Sequence, residues 1–225
     1  MEPEHGKKIN YSTSLACCGA IILAGGLSSR FGSPKAEALW NGRTMIENVV
    51  DSLGGQLSTQ PVIVCREEQS SGLQGLGTLT HDNCRYTAGP LRGIVAGLAA
   101  CGTRYAFVLS CDSPCIQPEL LLALANRAGS MGENVAVVPR WQGRDQVLTA
   151  LYSCSAGPLL EQALAAGESS PNRALKGLGF VTLTEEECLA ADKHGLSFIN
   201  INTTHDLEML HKYQNSNSNS DPVRL

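Results

Sequence analysis

The chain has 225 residues, 43% hydrophobic and 17% charged, enough to bury a sizeable core and too apolar to be disordered throughout. A formal net charge of −4 excludes a basic nucleic-acid footprint, and 5% aromatic content leaves little for base or sugar stacking. The nine cysteines are odd in number, scattered through apolar runs and free of any CxxC pair, so they do not read as a secreted disulfide framework. They read as reduced thiols packed as small apolar residues, which implies a reducing, cytoplasmic compartment.

Residues 1–18 are polar and patternless and are expected to be a flexible tail. The apolar stretch from Leu15 to Gly26 follows Cys17 instead of preceding it, unlike a signal peptide, and is too short to span a bilayer. It reads as a buried strand entering a glycine loop. One domain is expected over 19–213, followed by a low-complexity tail over 214–225 that contains alternating Asn and Ser.

Strands are predicted at Gly19–Leu23, Pro61–Cys65, Thr78–Thr80, Tyr105–Ser110, Val135–Pro139, Thr149–Ser153 and Phe198–Ile201. Ala20 to Leu23 and Ala106 to Leu109 are apolar on consecutive residues, the pattern of strands covered on both faces. Thr44 and Glu47 form a capping box ahead of Met45, Ile46, Val49, Val50 and Leu53, an apolar face at helical spacing. Pro90 and Pro118 can each open a helix, and Thr203 with Asp206 resembles a further capping box. Strands alternating with helices predict an α/β fold with a mostly parallel sheet, in which ligands bind beyond the carboxyl ends of the strands.

The first strand-to-helix loop runs Leu23-Ala-Gly-Gly-Leu-Ser-Ser-Arg-Phe-Gly-Ser-Pro-Lys35. Gly25 and Gly26 permit close backbone approach, exposed N–H groups can cradle phosphate oxygens, and Arg30 and Lys35 add positive charge. The spacing matches neither GxxxxGK(S/T) nor GxGxxG.

This loop resembles the signature of nucleotidyltransferases acting on small phosphorylated acceptors, and among them the MobA-type molybdenum cofactor guanylyltransferases. The resemblance continues in family order through Asp82 with Ala88-Gly-Pro-Leu-Arg-Gly93, Leu109-Ser-Cys-Asp-Ser-Pro114, Gly143-Arg-Asp-Gln146 with Ala150-Leu-Tyr152, and Phe198-Ile-Asn-Ile-Asn-Thr203. It implies a three-layer, Rossmann-like nucleotidyltransferase fold. The implied activity is transfer of GMP from GTP to the terminal phosphate of molybdopterin, with release of pyrophosphate.

By the same resemblance, Lys35 and Arg30 hold the phosphates, Asp112 ligates Mg²⁺, and Leu23, Ala24, Gly25 and Gly26 line the nucleotide. Asp82 and Gly89 also contact the nucleotide, with Pro90 and Gly93 in a close-approach loop near the base. Asn200 and Asn202, alternating with Ile199 and Ile201 on one sheet face, meet the pterin acceptor, and Gln146 is a further acceptor-side candidate. Expected partners are GTP and molybdopterin, with cofactor-delivery proteins, and neither nucleic acid nor membrane. The chain departs from the family at three places. Cys65 stands near a position that is often Asn, Val147 where proline is common, and residues 167–173 lack the usual basic pattern. Within the same fold the alternatives are a cytidylyltransferase of the cofactor or a sugar-phosphate nucleotidyltransferase. Outside catalysis, the alternative is an inactive nucleotide-binding module.

Overall fold

A computed structural model of the chain describes residues 15–25, 39–55 and 57–216. A single 3-10 turn at Leu15–Cys17 leads into β1 (Cys18–Leu23), so regular structure begins ahead of the boundary expected near residue 18. A two-strand hairpin follows, β2 (Leu39–Trp40) and β3 (Arg43–Thr44). Asn41 and Gly42 at its tip have φ of 51° and 78°, the left-handed pair that a tight hairpin turn requires. Next come α1 (Met45–Ser52), β4 (Val62–Cys65), β5 (Thr78–His81), α2 (Pro90–Ala100), β6 (Tyr105–Ser110) and α3 (Pro118–Arg127). The second half adds β7 (Ala136–Trp141), β8 (Arg144–Asp145), β9 (Thr149–Ser153), α4 (Gly157–Ala165), α5 (Pro171–Leu178), β10 (Val181–Leu183), α6 (Glu185–Ala191) and α7 (Thr204–Ser216).

Apart from the β2–β3 hairpin, the strands form one sheet in the order β10-β7-β9-β6-β1-β4-β5, with β8 attached to β7. β1 pairs in parallel with both β4 and β6, β4 with β5, and β10 with β7. β9 runs antiparallel between β6 and β7, so the sheet is mostly parallel, as expected. Alternate side chains feed two cores. Ile22, Ile63, Phe107 and Leu109 face α1, α3 and α6, whereas Ile21, Val64, Ala106 and Val108 face α2, α4 and α5. Both sheet faces are therefore covered, which is why the central strands are continuously apolar.

The predicted caps form. Thr44 and Glu47 make the reciprocal box at α1, and Pro90 and Pro118 occupy the first turns of α2 and α3. At α7 the Thr203 hydroxyl accepts from the Asp206 N–H at 3.1 Å, and the Asp206 carboxylate accepts from the Thr203 N–H at 2.8 Å. The helix continues through Ser216, into the stretch expected to be a tail. Six of the nine cysteines are buried, and all nine are free thiols.

One predicted strand is absent. Leu196–Phe198 is a 3-10 turn and residues 199–202 are irregular. The alternation that suggested a strand persists, with Ile199 and Ile201 buried and Asn200 and Asn202 exposed. Such alternation reports an extended chain lying between core and solvent, but a strand also needs a ladder of backbone bonds. Here the Ile201 N–H donates to the Asp112 carbonyl at 2.8 Å, joining the segment to a loop instead of a sheet edge.

Helix α2 sits unusually close to β1. A Cβ at Gly97 would lie 2.3 Å from Ile21 Cγ2, and one at Gly93 would lie 3.1 Å from Leu23 Cδ2. Gly93, expected in a ligand-side loop, thus lies inside the helix and serves its packing on the sheet. Overpacking of this kind costs about 1–3 kcal/mol. Gly97→Ala is expected to lower the thermal midpoint by several degrees in calorimetry, whereas Gly177→Ala, which meets no atom within 4 Å, is expected to leave it near the parental value.

Candidate active site

β1 is flanked by β4 on one side and β6 on the other, so the chain leaves its carboxyl end at a topological switch point. A cavity of about 410 Å³ opens there. Its wall is built from loops at one sheet edge: Leu23, Ala24 and Gly25 after β1, Val64, Cys65 and Arg66 at the end of β4, and Asp82 after β5. Ala88 and Gly89 ahead of α2, Pro90, Arg92 and Gly93 in its first turn, Ser110 at the end of β6 with Cys111 and Asp112 beyond it, and Leu148 ahead of β9 complete it.

The base of the glycine loop is held by bonds that prolong the sheet. The Ala24 N–H donates to the Val64 carbonyl at 2.8 Å, and the Cys111 N–H to the Leu23 carbonyl at 3.1 Å. Arg66 Nε donates to the Gly25 carbonyl at 3.0 Å. A Cβ on Gly25 would have no neighbour nearer than 4.0 Å among the described residues, so packing against those residues does not demand glycine there. Gly26, Arg30, Gly32 and Lys35 lie outside the described residues.

Of the expected nucleotide-side residues, the cavity brings together Leu23, Ala24, Gly25, Asp82, Gly89 and Asp112. Asn200 and Asn202 do not line it. They adjoin it through the Asp112 loop, where the Ser113 hydroxyl donates to Asn200 Oδ1 at 2.7 Å and Asn202 Nδ2 donates to the Asn200 carbonyl at 3.4 Å. Gln146 serves a turn, its N–H donating to the Pro139 carbonyl at 2.8 Å. Cys65 is buried, and its thiol lies 3.9 Å from Ser70 Oγ and 4.0 Å from His81 Nδ1. Burial raises its pKa, keeping it a neutral thiol that cannot replace an amide contact.

Asp112 follows β6 at the sheet edge, half-buried on the cavity wall. Among the described residues no group of three or more His, Cys, Asp or Glu side chains is arranged to hold a metal. One hard carboxylate on the wall of this cavity fits Mg²⁺, which is commonly held by one or two carboxylates together with substrate phosphates and water. Its flanking thiols, Cys111 and Cys115, pack into apolar clusters and are too soft for that ion.

Three features escaped the sequence reading. Arg66 and Arg92 line the cavity, and each looks like ordinary surface charge until its partner is known. The third is the 167–173 segment. Glu168 accepts a forked pair of bonds from Arg173 at 2.7 and 2.9 Å and a third from the Ser170 N–H at 2.7 Å. The clasp holds the Ser169 carbonyl against Gly89, 3.1 Å from where a Cβ would sit. This segment therefore buttresses the cavity loop.

A family model described as the MobA-like NTP transferase domain matches residues 20–181. The chain belongs to this family. A Bacillus subtilis protein named "Probable molybdenum cofactor guanylyltransferase" is 34% identical over 87% of this chain and 96% of its own length. A Pseudomonas entomophila molybdenum cofactor guanylyltransferase is 31% identical over 83% of this chain and 96% of its own. The crystal structure of molybdopterin-guanine dinucleotide biosynthesis protein A from Archaeoglobus fulgidus superposes with a TM-score of 0.73 at 28% identity, covering 87% of this chain and all of that one. The fold of that MobA-like protein is thus shared along most of the chain. No helix among the described residues is long and apolar enough to cross a membrane.

The Glu168 clasp makes a testable contribution to acid stability. The Arg173 guanidinium, with the Ser170 N–H, lowers the Glu168 pKa from 4.5 to about 2. A depressed carboxyl contributes stability above its unfolded pKa and loses it as pH falls through the folded one. Arg173→Ala is therefore expected to be less stable than the parent at pH 6, with the difference shrinking between pH 4.5 and 2. Paired melts at low ionic strength check this, since salt screens an exposed pair.

Proposed function

We propose that this chain transfers GMP from GTP to the terminal phosphate of molybdopterin, forming molybdopterin guanine dinucleotide and pyrophosphate. The observation that carries the reading is the convergence of Leu23–Gly25, Asp82, Gly89 and Asp112, from separate family motifs, on one cavity at the sheet's switch point. The names of the full-length relatives agree with it.

The attacking group is an anionic phosphate oxygen, so the reaction needs no strong general base. A bond forms from that oxygen to the α-phosphorus of GTP. The bond from the α-phosphorus to its bridging oxygen breaks, and pyrophosphate leaves with the electron pair. The protein's task is to offset repulsion among the phosphates and to hold attacker and leaving group in line.

The backbone of Leu23, Ala24 and Gly25 lines the nucleotide, held in place by the Arg66 bond to the Gly25 carbonyl. Arg30 and Lys35, from the same loop, meet the phosphates, with Lys35 stabilising the departing pyrophosphate. Asp112 would hold Mg²⁺, which neutralises phosphate charge when bound. Asp82 contacts the nucleotide, and Asn200 with Asn202 faces the acceptor.

Incubation with molybdopterin, Mg²⁺ and either GTP or CTP, followed by pyrophosphate release, tests the reading. Efficient turnover with GTP is expected, and a preference for CTP overturns it. Lys35→Ala and Asp112→Ala are each expected to reduce turnover by more than about tenfold, because loss of one such electrostatic contact costs a few kcal/mol. Single-turnover kinetics separate binding from chemistry, and unchanged rates in both variants refute the assigned roles.

A further inference from the structure

Arg92 stands where helix physics disfavours it. It lies in the first turn of α2, where the aligned peptide dipoles already present positive charge. The structure shows what offsets this. Arg92 Nε donates to Asp82 Oδ2 at 2.8 Å, and Nη1 donates to the Tyr86 carbonyl at 3.1 Å. Both charged side chains are largely withdrawn from water, with 16% and 25% of their surfaces exposed, and both line the cavity. Two bonds from one planar guanidinium fix its orientation, and the Asp82 carboxylate is held in turn. Arg92 also lines a second hollow, with His81, Asn83 and Tyr86, so the residue belongs to the walls of both spaces.

We infer that Arg92 is a positioning residue for base selection, aiming the Asp82 carboxylate at the edge of the purine. This rests on the guanylyltransferase reading above. An ionised carboxylate only accepts hydrogen bonds. Guanine presents two adjacent donors, N1–H and the 2-amino group, whereas the corresponding edges of adenine, cytosine and uracil each place an acceptor beside the donor. With one Asp82 oxygen taken by Arg92, the remaining acceptor capacity is directed, and selection for the 2-amino group depends on that direction. A site built to accept such a bond rejects an analogue lacking the donor, because the acceptor position aimed at the 2-amino group is then left unsatisfied.

Inosine triphosphate, which lacks only the 2-amino group, is the probe. The full chain is assayed with molybdopterin, Mg²⁺ and either GTP or inosine triphosphate, with melts of every variant alongside. The parent is expected to favour GTP by at least about tenfold in kcat/KM, the size expected for one bond to a charged acceptor. Arg92→Ala is expected to lose most of that preference, chiefly through a raised KM for GTP. Arg92→Lys, which keeps a charge but not the two-bond fork, should restore part of it. Asp82→Asn should lose the preference too, and combining it with Arg92→Ala should remove nothing more. A folded Arg92→Ala that keeps its GTP preference overturns the inference. So does a variant that instead loses discrimination against 2′-deoxy-GTP, because the carboxylate would then read the ribose. A parent that prefers CTP overturns the guanine reading itself, and its own arm of the assay reports that separately.

Discussion

Helix α2 seats two glycines directly on side chains of the sheet, and the site depends on that contact. Gly97 faces Ile21 at a distance no larger residue could occupy, and one turn earlier Gly93 faces Leu23 and Val64. Because β1 is central and paired on both sides, it cannot yield sideways. The helix start carries Gly89 and Arg92, and the strand end carries Leu23 to Gly25. The two glycines therefore fix how far the α2 loop stands from the base of the glycine loop. Interiors packed near crystal density transmit such distances faithfully.

Onto that frame the polar parts of the site are fastened by single bonds from distant sequence. Arg66 reaches across 41 residues to the Gly25 carbonyl. The Asp112 carbonyl receives the Ile201 N–H, and Ser113 holds the Asn200 amide. The proposed metal ligand and the proposed acceptor contacts are consequently parts of one connected structure, though they sit on different elements. The Glu168–Arg173 clasp does similar work on the other flank by pressing its loop on Gly89.

Much of this was legible in the sequence, for physical reasons that can be named. Strands covered on both faces must be apolar at consecutive positions, and β1 and β6 are. The box of Thr44 and Glu47 marks a helix start because the two residues satisfy each other's backbone. Asp82 and Asp112 could be placed at a sheet edge because each follows a strand. Hidden were the features decided by tertiary neighbours. Ile199 and Ile201 alternate like strand residues but pair with a loop. Arg66 carries no local mark of its bond to Gly25, and the motif that contains Arg92 does not show its bond to Asp82. The packing role of Gly93 and Gly97 is likewise invisible until the helix is set against Ile21.

The reversal of β9 has a consequence for how this architecture can diversify. Every other strand bordering the cavity delivers its following loop to the rim, but β9, running the opposite way beside β6, delivers the loop that precedes it, and Leu148 enters the cavity from there. That loop belongs to the β7–β9 arm of the chain and shares no strand connection with the glycine loop or α2. Insertions or substitutions in it leave the crossovers that build the nucleotide half untouched. One side of the rim can thus vary in length and side chain without disturbing the other.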